Sequence, residues 1–112
     1  MAIDINQLIA DIQAAATGVL KKDITTMGGF SDQQLRALAQ QAVLVEAGIV
    51  SGQITAATRE FFLDGLQEMA RNFVATLRGL VEITIEKVWN AVVDVLWKAI
   101  SAGTGLALPG PG

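Results

Sequence analysis

The chain has 112 residues, room for one small core, with 52% apolar residues, only 17% charged residues and a mean hydropathy of +0.47. Soluble domains average nearer 25% charged residues, so this balance predicts apolar surface that is covered by something beyond the chain itself. Cysteine, histidine and tyrosine are absent and serine occurs three times, which removes disulfides, thiolate and imidazole chemistry and nearly every zinc, copper or haem site.

The net charge of −3 is spread along the chain, and Lys21-Lys22 is the only adjacent basic pair. Phosphate backbones and anionic lipid surfaces need clustered Lys and Arg, so no nucleic-acid partner is expected. The start Met1-Ala2-Ile3-Asp4 has no basic stretch followed by an apolar one. It reads as cytoplasmic synthesis without a secretory signal, leaving an assembled particle or a membrane open as the final location.

In chain order, Asp4 followed by Gln7 reads as a capping box that opens a helix over about 5–21. Ile5, Ile9, Ile12, Ala16 and Val19 form its apolar stripe, and Lys21-Lys22 suit its C-terminus. Thr25 to Gly29 forms the clearest turn. Ser31 with Gln34 is a second capping box, opening a helix over about 31–51. Leu35, Leu38, Ala42, Val45 and Ile49 alternate three and four apart, the seam of a helix packed on a helix. The other face is also apolar at Val43, Leu44 and Val50.

From Thr55, a candidate N-cap, the sequence is helix-compatible as far as Ser101, without proline. One long helix over about 56–101 would run roughly 70 Å, against about 30 Å for either earlier segment. Its polar positions, from Glu60 through Arg71 and Glu82 to Lys98, recur on average about 3.8 residues apart, which predicts a seam winding in the right-handed sense. Gly65 and Gly79 interrupt it. Continuity is the reading taken, because Thr76 to Val81 offers no Pro, Asn or Asp for a tight turn; the competing reading is a bend at Gly79 that makes a fourth helix. Beyond residue 102 a Gly/Pro-rich tail, 103–112, is expected to be extended unless Leu106 and Leu108 dock.

Constellations that invite chemistry have simpler structural explanations. Glu60, Asp64 and Glu68 make an acidic ladder, yet without histidine the carboxylate-histidine pattern of metal bundles cannot be written, and acidic residues suit a helix start. No catalytic, cofactor or metal residue is assigned, and the chain is read as a non-enzyme. Within residues 73–100 the longest uncharged run is Val88 to Val93, far short of the roughly 20 residues of a membrane span. Asp94 and Lys98 form a correctly spaced helical pair.

The expected fold is all-α: a single helical domain, 1–102, in which two short helices pack on one long C-terminal helix in a bundle-type, oligomer-forming arrangement. The expected function is a structural or assembly subunit, a homo-oligomer joined through that helix into a ring, bundle, shell or filament. Its interface is expected at Phe73, Leu77, Gly79, Leu80, Val81, Ile85, Val88, Trp89, Val92, Leu96, Trp97 and Ile100. Another protein or lipid on residues 73–100 is the alternative partner, and the alternative function is a membrane-active protein, pore-forming or phage-type, whose C-terminal helix associates with lipid.

Overall fold

Capping residues set the helix starts. In a computed structural model that describes residues 3–108, the Asp4 side chain accepts from the backbone N–H groups of Asn6 and Gln7, and α1 runs Ile5–Leu20. Lys21 ends it in the left-handed conformation, its N–H donating to the Thr17 carbonyl. Asp23 opens a single 3-10 turn, Ile24–Thr26, whose Ile24 is fully buried. Ser31 accepts from the N–H of Gln34 at 3.1 Å, and α2 spans Asp32–Ser51. Asp4 and Ser31 thus make the N-cap bonds that the sequence predicts, while the Gln7 amide, the expected second half of the first box, donates to Asp11 at 2.8 Å.

The third helix departs from expectation at both ends. A turn over Thr55 to Thr58, with the Thr55 N–H donating to Thr58 Oγ1, delays its start, so α3 spans Arg59–Ala75. After Ala75 the chain breaks, and α4 spans Glu82–Thr104. The single helix over 56–101 is thus two helices joined by a turn, and the molecule measures 41 Å along its longest axis rather than 70 Å.

Two features make that turn without proline or asparagine. Gly79 adopts φ +82, a left-handed conformation that costs an L-residue about 1–2 kcal/mol. The turn is also held from outside: the Arg78 N–H donates to the Gly28 carbonyl at 2.8 Å, and a Cβ on Gly29 would lie 1.8 Å from the Thr76 carbonyl oxygen. The Gly28-Gly29 pair therefore lets the first connection seat against the last one. The polar line from Glu60 to Lys98 crosses α3, the turn and α4, so it does not form the one winding seam expected of a continuous helix.

All four helices pack together, with α4 against each of the others and most extensively against α1; α2 also packs on α1 and α3. Ile12, Leu35, Leu38, Leu66, Phe73, Leu96 and Ile100 are among the fully buried side chains, and the Phe30 ring meets Phe73 edge-on. The accessible surface is 6174 Å², against about 5,900 Å² expected for a free monomer of this mass. The chain thus covers its own core. Its last helix reaches Thr104, beyond the expected boundary at 102, and Leu108 packs against the core. The rest of the expected tail, 109–112, lies outside the described residues.

Candidate functional site

The expected interface is mostly interior. Phe73, Leu77, Val88, Val92, Leu96, Trp97 and Ile100 are buried within the chain, while Leu80, Ile85 and Trp89 pack partly buried against the same core. Only Gly79 and Val81 face outward fully. The reason is the break at Gly79: α4 returns across α1, α2 and α3, so the apolar face that a straight helix would leave bare is covered by the chain itself.

Folding also pairs residues that a straight helix would hold apart. Arg71 and Glu82, eleven residues apart and so about 16 Å along one helix, form an ion pair between α3 and α4. The Arg71 guanidinium lies 5.1 Å from the Trp89 ring centre, and Trp89 Nε1 donates to the Gln67 carbonyl at 2.9 Å. Asp94 and Lys98 make the expected pair at 2.9 Å, largely in solvent. Glu60, Asp64 and Glu68 are all exposed on α3, and no group of three or more potential metal ligands occurs among the described residues.

One carboxylate that the sequence does not single out is buried. Glu46 of α2 is 5% exposed and accepts the Ile3 N–H at 2.8 Å, tying the backbone just ahead of α1 to α2. Asp23 sits in solvent, where the Thr25 hydroxyl and then the Thr25 N–H donate to it and hold its carboxyl below the ordinary value of 3.8.

Val81 and Ile83 at the start of α4 stay exposed, and an open apolar groove lies between α2 and α3. Two adjoining depressions, of about 440 and 370 Å³, share Gln41 and Phe62 in their walls. Leu44, Val45, Gly48 and Ile54 line one; Phe61, Gly65 and Met69 line the other, with Asp64 and Glu68 at its edge. Phe61 is 77% exposed and stands edge-on to Phe62, and Leu44 is 54% exposed. A Cβ at Gly65 would touch nothing, so the groove is open above it. Exposure of a whole phenyl ring beside an apolar groove forgoes a burial that stabilises by about 1.5–3 kcal/mol.

A separate cleft, of about 340 Å³, opens between the start of α3, Trp97 of α4 and the Ala107-Leu108 segment. Its walls include Arg59, Glu60, Asp64 and Gln67. Among the described residues, no helix is long and apolar enough to cross a membrane. Compared with protein-family models, with curated proteins and with solved structures, the chain has no match in any of the three.

Proposed function

We propose that this chain is a non-enzymatic assembly subunit that associates with its own copies through the α2–α3 groove, rather than through residues 73–100. The observation that carries this reading is Phe61, a ring 77% exposed beside an open apolar groove that it does not itself fill. One face thus bears both a projection and a recess. A two-fold axis across such a face inserts each copy's ring into the other's groove, the self-complementarity that an isologous dimer requires. Gly65 leaves the recess without side-chain bulk, and a buried aromatic is the usual anchor of an interface.

Light scattering across a concentration series tests the proposal. Self-association should be measurable for the native chain and lost in Phe61→Ser, with helix content unchanged. A native chain that stays monomeric at every accessible concentration would overturn it. Lipid as the occupant of the groove is separated by adding liposomes: the assembly reading expects neither flotation nor dye release.

A further inference from the structure

We infer that the cleft between the start of α3, Trp97 and the Ala107-Leu108 segment binds a small zwitterion of the α-amino-acid class with an apolar side chain. The inference stands apart from self-association, since it concerns a different cleft. Two covered N–H donors, on residues that line this cleft, have no hydrogen-bond partner among the described residues: Trp97 Nε1, on a residue only 4% exposed, and Arg59 Nε. Both groups only donate, and buried donors are paired in nearly all proteins. The missing group is therefore an acceptor.

Comparison within the chain sharpens its nature. Trp89, the other indole, donates to a backbone carbonyl, and Arg36 and Arg71 each hold a carboxylate of their own. Arg59 has no such ion pair within 4.0 Å among the described residues, although Glu60 and Asp64 line the same cleft. An arginine N–H and an indole N–H on residues lining one cleft are best met by a carboxylate, the arginine through a charge-assisted hydrogen bond. A bare carboxylate would nevertheless enter against the charges of Glu60 and Asp64, one helical turn apart. An ammonium group on the neighbouring carbon turns that repulsion into attraction. Leu63, Leu108 and the Trp97 ring supply apolar walls for a side chain, and the cleft volume of about 340 Å³ falls in the range of roughly 300–1,000 Å³ for small-ligand sites. Both donors are covered in the free chain, so a ligand carboxylate reaches them as the cleft opens.

The test is a titration of the full chain with L-leucine, read by the two indole N–H signals and the Arg59 Nε–H signal in nitrogen-15 correlation spectra. The expected result is a saturable shift of Trp97 and Arg59, with Trp89 unmoved. 4-Methylpentanoate, which lacks the ammonium, and 3-methylbutylamine, which lacks the carboxylate, should each bind more weakly than leucine. Arg59→Gln should weaken leucine binding by about tenfold or more, the effect of losing one charge-assisted hydrogen bond. Should Arg59→Gln disturb the remaining spectrum, the pair Glu60→Gln with Asp64→Asn serves instead, and leucine should then bind no better than 4-methylpentanoate. Absence of a saturable Trp97 shift up to tens of millimolar leucine, or equal responses to all three compounds, would overturn the inference.

Discussion

The two sides of α2–α3–α4 treat apolar residues differently. Where α4 packs on α1, Val88, Val92, Leu96 and Ile100 disappear completely into the core. Where α2 meets α3, Leu44 and Phe61 stay in solvent although they flank the same kind of helix contact. An apolar residue count alone does not distinguish these cases. High mean hydropathy called for a partner surface somewhere in the molecule, but the turn at Gly79 decides which residues the chain keeps for itself. What remains outside is Val81 and Ile83 at the start of α4 and, on α2 and α3, the groove face with Leu44 and Phe61.

The largest expected effect breaks or confirms the closed side. Phe73→Ala should cost about 3–5 kcal/mol in unfolding free energy, measured by urea denaturation, because it empties a fully buried aromatic site. A loss below about 1 kcal/mol, the scale of ordinary substitutions, would mean that Phe73 sits in solvent until copies associate. Next in size is Glu46→Ala, which leaves the Ile3 N–H without its acceptor and should cost about 1–3 kcal/mol. Glu46→Gln keeps an acceptor oxygen and should lose less. If the two variants were equally stable, the buried contact would not be holding the N-terminal residues.

Gly79→Ala probes the turn that separates the two sides, and should cost about 1–2 kcal/mol by thermal unfolding because the residue sits at positive φ. Stabilisation instead would favour the unbroken helix. The smallest effect belongs to Asp23. Its folded pKa is lowered, so the turn's contribution is complete above the ordinary value of 3.8 and is lost as pH falls through the lowered folded value. Thr25→Val removes the larger of the two causes, and carboxyl carbon NMR should then show Asp23 titrating closer to 3.8 while the groove residues keep their shifts.

Much of the fold is legible in the sequence, and the reason for the miss is specific. Asp4 and Ser31 act through neighbours two or three residues away, so their caps can be read from local pattern alone. The Gly79 turn depends partly on Gly28 and Gly29, some fifty residues earlier, and no local window contains that contact. Arg71 and Glu82 deepened the error: eleven residues apart, they share a face of one straight helix as readily as they pair across two. The groove left a partial trace in Leu44, an apolar residue opposite the α2 seam. Phe61 gave none, since beside Phe62 it reads as half of an ordinary core pair. Arg59 and Trp97 lie too far apart in sequence for spacing to join them.

Hydrogen exchange at low and high protein concentration compares the two sides most directly. Amides in α3 around Phe61 and Gly65 should gain protection as concentration rises, whereas those of 88–100 in α4 should be equally protected throughout, because their cover comes from the same chain. Protection of 88–100 that grows with concentration, with α3 unchanged, would contradict this assignment and return the interface to the C-terminal helix.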